Sequence, residues 1–239
     1  EKEINMGKGK IIFLNGASSA GKTSIAKLIS KKINNPHLYI GLNDMYYKLI
    51  PQKYWADDPY LYTGEHPIEP DIKKHNLPDF LFTELMQNIF PEFMKGFHKS
   101  FSTYAETGIN IIVDHVLQEK EWLYECVKYL KEHDVYYIGI KCNLNILEER
   151  EKSRGDRYIG MAKHQCHKVH EDSIYDFESD TSFKSPEVCA LEIIEFIRKT
   201  PKPIAFKKMY DFYVTKKIKS AHLKPPLQKL FCLLYVFAH

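Results

Sequence analysis

Long apolar runs, paired cysteines and internal repeats are all missing from this chain of 239 residues. No apolar run reaches the roughly 20 residues that span a bilayer, so we expect no transmembrane helix. The first six residues carry acids and no apolar segment, so we expect no secretory signal there. The five cysteines are odd in number, scattered and free of Cys-x-x-Cys pairs, which is typical of reduced thiols. These absences predict a cytoplasmic protein.

Net positive charge is confined to the C-terminal end of the chain. Residues 198–239 hold ten Lys or Arg and a single acid, whereas the preceding residues are mildly acidic overall. The basic character therefore belongs to the tail, and we do not infer a nucleic-acid function from the overall net charge of +3.

Glycine is also sparse, yet two glycines belong to the most informative segment of the chain. The run Gly16-Ala-Ser-Ser-Ala-Gly21-Lys22-Thr23 fits the P-loop pattern G-x-x-x-x-G-K-[ST]. A strand-like run precedes it and a helical pattern follows, as a P-loop requires. Small residues let backbone N–H groups wrap a phosphate, and the helix N-terminus adds partial positive charge. The predicted nucleotide-binding residues are Gly16, Ser18, Ser19, Ala20, Gly21, Lys22 and Thr23.

Within that motif, two side chains have separate expected partners. Lys22 would reach the β- and γ-phosphates of a nucleotide, and the Thr23 hydroxyl would bind Mg²⁺.

Apolar strand-like runs alternate with amphipathic helical stretches along the chain, which predicts a parallel sheet with helices on both faces. Strand candidates are residues 10–15, 37–41, 109–114, 135–142 and 174–178. Helix candidates are residues 22–33, 78–106, 119–133, 145–153, 159–169 and 185–198. Residues 51–77 fit neither pattern, and long loops of this kind are usually functional or disordered.

Asp44 directly follows the second strand candidate. A carboxylate there could accept the proton of an acceptor hydroxyl that attacks a γ-phosphate. The local alternative is the N-cap of a helix over residues 45–49, and on local sequence alone we favour the cap.

Asp114 ends the apolar strand candidate over residues 109–114. An apolar strand that ends with an acidic residue is typical of the position that holds Mg²⁺, directly or through water, in P-loop enzymes. The alternative is a solvated acid at the strand end. Given the P-loop, we favour the metal-binding role.

Arg150, Arg154 and Arg157 stand four and seven residues apart, so they would share one helix face, where like charges repel. Convergence on phosphate explains this arrangement, because guanidinium groups match phosphate oxygens. The alternative is a solvated helix in which neighbouring acids balance the arginines, namely Glu148, Glu149 and Glu151. The residues alone do not decide between the two.

A short histidine-rich run follows the arginines: His164, Cys166, His167 and His170. No second ligand group with suitable spacing occurs elsewhere, so we favour histidines of a lid over a zinc site. The turn over residues 180–182 follows the last strand candidate. It is either part of a base-binding loop or a plain turn before the last helix.

In order along the chain, these segments resemble the chloramphenicol phosphotransferases, a branch of the P-loop kinases. The resemblance covers about residues 10–197. Its most specific residues are Arg150, Arg154-Gly-Asp-Arg157, Gly160-Met-Ala162, Gln165, His170-Glu171 and Tyr175-Asp176. His115 stands where the resemblance leads us to expect a second acid after Asp114.

The resemblance implies an α/β P-loop NTPase fold of the nucleotide-kinase type, with a mostly parallel five-stranded sheet. It implies transfer of the γ-phosphoryl group of ATP, with Mg²⁺, to a hydroxyl of a small molecule such as chloramphenicol or a related alcohol. Asp44 becomes the general base, Lys22 positions the donor, and the three arginines neutralise the transferring group. The kinase domain would cover residues 8–198.

The acceptor stays open between chloramphenicol-like alcohols, nucleosides and sugars. Six aromatic residues after the second strand could form its site: Tyr46, Tyr47, Tyr54, Trp55, Tyr60 and Tyr62. Two other functions are kept as alternatives: a kinase of nucleotides, sugar nucleotides or nucleic-acid ends, and a non-catalytic ATP-dependent binding module. The extension over residues 199–239 is expected to be helical or irregular, with a solvated basic part. Its apolar end would dock on the domain, on a partner or on a second copy.

Overall fold

The computed structural model describes residues 7–42, 44–45, 88–154 and 159–213, with backbone to residue 215. The predicted sites at Arg157, in residues 46–87 and in residues 216–239 lie outside this part of the chain. The described elements are β1 (Ile11–Asn15), α1 (Lys22–Lys32), β2 (His37–Gly41), α2 (Phe90–Glu106), β3 (Asn110–His115), α3 (Lys120–Leu130), β4 (Val135–Lys141), α4 (Leu144–Arg154), α5 (Met161–Lys168), β5 (Phe177–Asp180), α6 (Pro186–Lys199) and α7 (Ala205–Thr215).

The five strands form one sheet in the order β2-β3-β1-β4-β5, and all neighbouring strands are parallel. The predicted parallel α/β fold is confirmed. The chain moves from β1 to one side of the sheet and later, from β3, to the other side. Ligands of open α/β sheets bind outside the carboxyl ends of the strands at such a reversal, which here lies between β1 and β3.

Both faces of the sheet are covered, which explains why its strands read as continuous apolar runs. Side chains alternate between the faces along β1. Ile11 and Phe13 pack in the core formed with α2, α3 and α7. Ile12 and Leu14 pack in the core formed with α1 and α6.

The last strand begins later than predicted: β5 spans Phe177–Asp180 instead of residues 174–178. Asp176 explains the shift, because its carboxylate accepts hydrogen bonds from Tyr137 N at 3.0 Å and from Ala205 N at 2.9 Å. Asp176, just before β5, therefore links β4 to the start of α7.

Helix α7, the described part of the predicted extension, packs on the domain. Phe206 and Met209 are buried in the same core as Phe13 and Tyr137. The ammonium of Lys131 on the C-terminal side of α3 lies 3.9 Å from the ring centre of Tyr210, a close cation–π contact. No helix among the described residues is long and apolar enough to cross a membrane.

Candidate active site

The P-loop connects β1 to α1 with a backbone shaped for an anion. Gly21 has a φ of 88°, a left-handed conformation that glycine adopts without strain. None of the described side chains caps the N-terminus of α1 at Gly21, which leaves its first N–H groups available to a ligand. In the described part of the chain, the buried hydroxyl of Ser19 also has no hydrogen-bond partner. The loop therefore offers the donors that a phosphate requires.

Lys22 lies folded over the P-loop and is only 6% exposed. Its Nζ donates to the carbonyl oxygen of Ala17 at 2.8 Å and lies 4.0 Å from Oδ1 of Asp114. The ammonium is thus held beside both the loop and the carboxylate.

Asp114 at the end of β3 joins two neighbouring hydroxyl groups. Thr23 Oγ1 donates to Asp114 Oδ2 at 2.5 Å, and the phenol of Tyr39 donates to the same oxygen at 3.1 Å. The predicted metal ligands, Thr23 and Asp114, therefore lie side by side. They are hard oxygen donors of the kind that Mg²⁺ prefers, so the residues present fit that ion.

Tyr39 is a site residue that the sequence analysis missed. Burial, together with the charges of Asp114 and Asp44, raises the pKa of Tyr39, so its phenol stays protonated and acts as a donor. The available signal was its position on β2, two residues before the strand ends at Gly41. Alternate residues of a strand lie on the same face, so Tyr39 lies on the face that Gly41 occupies at the strand end.

Asp44 lies just beyond β2, close to Tyr39. A methyl group added to Gly41 would come within 2.7 Å of Asp44 Oδ2 and 2.6 Å of the Tyr39 hydroxyl, so glycine is needed for this approach. Leu42, Asp44 and Met45 have helical backbone, and Asp44 is exposed. The roles of Asp44 as a helix N-cap and as a general base both stay predictions.

Two buried glutamines anchor the P-loop from the outside. Ser18 N donates to Gln165 Oε1 at 2.8 Å, and Gln165 Nε2 donates to Gln118 Oε1 at 3.3 Å. The exposed fractions of Gln165 and Gln118 are 1% and 2%. Helix α5 and the loop after β3 are thereby tied to the phosphate-binding loop.

Arg150 contacts backbone of the P-loop and of the turn after β5. Its guanidinium donates to Thr181 O at 2.7 Å and to Ser19 O at 3.5 Å. Thr181 Oγ1 in turn donates to Ala20 O at 2.9 Å. Arg154 is exposed at the end of α4. Convergence of the arginines on phosphate stays a prediction.

Glu151 does not balance the arginines, contrary to the surface-helix alternative. It is 1% exposed, and its carboxylate accepts from Gly160 N at 2.7 Å and Ala162 N at 2.8 Å. Glu151 on α4 therefore caps the N-terminus of α5. Ser185, and not a residue of the turn over residues 180–182, is the N-cap of α6. Thr181 in that turn contacts the P-loop.

Around the histidine-rich run, as elsewhere in the described residues, no three His, Cys, Asp or Glu side chains come together. His170 Nδ1 instead lies 2.6 Å from the hydroxyl of Tyr175, which accepts from Asn15 Nδ2 at 2.8 Å. Burial and the nearby positive charges of Lys141 and Lys22 lower the pKa of His170 to about 3.

His115 faces the core although it follows Asp114. Its Nε2 lies 3.1 Å from Nε2 of His98, whose Nδ1 is 2.8 Å from Glu125 Oε2. Burial lowers the pKa of both histidines, which favours their neutral forms. The position expected to hold a second acid thus adds no ligand beside Asp114.

The parallel sheet, with the P-loop between β1 and α1, is the fold of the P-loop kinases. An APS kinase of Mycobacterium tuberculosis, solved with AMPPNP and APS, matches with a TM-score of 0.52 at 14% identity, over 80% of this chain and 99% of that chain. The shikimate kinase of Acinetobacter baumannii, solved with shikimate, matches with a TM-score of 0.51 at 10% identity, over 80% and 94%. These identities establish the shared fold.

The chain belongs to the family described as "Chloramphenicol phosphotransferase-like protein", which matches residues 9–198. Two proteins of M. tuberculosis, from strains H37Rv and CDC 1551, are each 30% identical over 206 residues, which cover 85% of this chain and 89% of theirs. Both are named as candidate O-phosphotransferases. The family resemblance is confirmed, and the chain has the fold and family of a phosphotransferase.

Proposed function

We propose that this protein transfers the γ-phosphoryl group of ATP to a hydroxyl of a small molecule, with Asp44 as the general base. The proposal rests on one observation: Lys22, Thr23 and Asp114 meet at the P-loop, and Tyr39, which donates to Asp114, lies close to Asp44. The groups that would bind a nucleotide phosphate are therefore close to Asp44, the carboxylate that would serve the acceptor.

The donor side is assigned to the P-loop and its neighbours. The N–H groups at the start of α1, the Ser19 hydroxyl and the Lys22 ammonium would bind phosphate oxygens. Thr23 and Asp114 would hold Mg²⁺, which offsets the negative charge of the phosphates when it is bound. Arg154, exposed on α4, would approach the transferring group from the lid side.

The acceptor side is assigned to Asp44. Its carboxylate would accept the proton of the acceptor hydroxyl as the oxygen attacks phosphorus. Tyr39 stays protonated and donates to Asp114, so it would keep that carboxylate oriented toward Thr23. We assign Tyr39 to positioning, because its contacts are to Asp114 and not to a reacting atom.

The test compares Asp44→Asn with Asp134→Asn, an exposed aspartate at the opposite end of the sheet, before β4. Purified protein is incubated with ATP, Mg²⁺ and a panel of alcohols, nucleosides and sugars, and phosphorylated products are detected by mass spectrometry. We expect a product with wild type and Asp134→Asn, and loss of about 100-fold or more in rate with Asp44→Asn at unchanged nucleotide affinity. Full transfer by Asp44→Asn would remove Asp44 from the mechanism.

A further inference from the structure

A cavity of about 160 Å³ opens between the loop after β3 and the C-terminal end of α5. Leu117 and Leu123 provide apolar surface, and the polar groups come from Gln118, Glu119, Lys120, Lys168 and Glu171. The cavity lies at the carboxyl edge of the sheet beside the reversal between β1 and β3, where ligands of this architecture bind.

The polar groups of the cavity are partly withdrawn from solvent and held in place. Lys168 Nζ donates to Glu119 Oε1 at 2.9 Å, and Glu119 is 8% exposed. Gln118 is held by Gln165, as described above. At the rim, Lys120 Nζ lies 2.8 Å from Asp172 Oδ2. A ligand would thus meet a carboxylate, an ammonium and an amide that are held by hydrogen bonds, with the more exposed Lys120 and Glu171 at the rim.

This combination suits neighbouring hydroxyl groups. A hydroxyl is both donor and acceptor, a carboxylate accepts only, an ammonium donates only, and an amide does both. Glu119 and Lys168 together can therefore satisfy two vicinal hydroxyls, while Leu117 and Leu123 pack against carbon. A ring with a single hydroxyl would desolvate the same charged groups without replacing their hydrogen bonds to water.

The cavity is also connected to the P-loop. Gln118 forms part of its wall, and the hydrogen bonds from Gln118 through Gln165 reach Ser18 N. A ligand in the cavity would therefore lie next to the group that anchors the phosphate-binding loop.

We propose that this cavity binds the polyhydroxylated part of the acceptor, which makes the acceptor a cyclic polyol or a sugar. The inference rests on the proposed phosphotransfer for its role in catalysis. Binding of the polyol itself is independent of transfer and can be measured separately.

Binding is tested by saturation-transfer NMR in the presence of a non-hydrolysable ATP analogue. The probes are myo-inositol, D-glucose and D-ribose, with cyclohexanol as the single-hydroxyl control of matched ring size. The cavity variants are Glu119→Gln and Lys168→Met. Their matched controls are Glu195→Gln and Lys199→Met, which alter an exposed ion pair of 2.8 Å on α6.

We expect at least one polyol to bind wild type and both control variants more tightly than cyclohexanol. Each cavity variant should weaken that binding about 10-fold to 100-fold, the range for a hydrogen bond to a charged group. Lys168 is partly exposed, so Lys168→Met keeps the test valid if Glu119→Gln does not fold. Unchanged nucleotide affinity verifies folding.

The inference is overturned if no polyol binds, or if folded cavity variants bind polyols as wild type does. The proposed function fails separately, if no hydroxyl compound is phosphorylated in the product screen. Transfer to a simple alcohol with no effect of Glu119→Gln on its KM would contradict the cavity assignment and leave the phosphotransfer intact.

Discussion

Replacing Gln165 with Met tests whether the buried glutamine pair prepares the P-loop for its ligand. Methionine keeps a similar volume and flexibility but removes both hydrogen bonds of the amide. Ser18 N then loses its partner at 2.8 Å, and Gln118 Oε1 loses its partner at 3.3 Å. Ser18 N is only partly buried, so the loss should lie toward the lower end of the roughly 1–3 kcal/mol for an unsatisfied donor, and the melting temperature should fall by about 2 to 6 °C.

Nucleotide affinity should fall in the same variant. Without the hydrogen bond from Ser18 N to Gln165, part of the P-loop would become ordered only when the nucleotide binds, and this ordering costs free energy. Ordering the backbone of one residue costs about 1–2 kcal/mol, which corresponds to a Kd about 5-fold to 30-fold higher. Isothermal titration calorimetry with an ATP analogue measures this change. Lys163→Met, an exposed position on the same helix, is the control and should behave as wild type. An unchanged Kd in folded Gln165→Met would refute the anchoring role.

Three further changes have defined outcomes. Gly41→Ala places a methyl group within 2.7 Å of Asp44 Oδ2, so kcat should fall about 10-fold to 100-fold in steady-state assays while nucleotide affinity is kept. Asp176→Ala leaves Tyr137 N and the start of α7 without their acceptor, so urea denaturation should report a loss of about 2–4 kcal/mol. The pKa of His170 falls from 6.5 to about 3 on folding, so the fold favours the neutral ring and its contribution to stability is lost as pH drops from 6.5 toward 3. His170→Asn should flatten the pH dependence of the unfolding free energy in that window, and an unchanged profile would contradict the shift.

The fold was predictable because its signals are local. The P-loop, the alternation of apolar strands with amphipathic helices, and the strand-end acids Asp44 and Asp114 each occupy one short segment. Parallel strands then bring their carboxyl ends to one edge, which is why Asp44 and Asp114 are both found near Tyr39.

The remaining features depend on contacts between distant segments. Gln165 and Gln118 meet only because α5 packs against the loop after β3. No sequence pattern around either residue predicts this contact. In the sequence, Glu151 is one of several acids on a charged helix, but in the structure its carboxylate accepts hydrogen bonds from the N-terminus of the next helix. Asp176 shifts the start of β5 because it bonds to a neighbouring strand and to a helix 28 or more residues later.

The central claim is that the P-loop and Asp44 act on one phosphoryl group from opposite sides. A crystal structure with an ATP analogue, Mg²⁺ and a phosphorylatable acceptor tests it most directly. We predict the acceptor hydroxyl within about 3 Å of the Asp44 carboxylate and in line with the γ-phosphate, which Lys22 contacts. An acceptor hydroxyl that lies at the γ-phosphate but away from Asp44 would contradict the account.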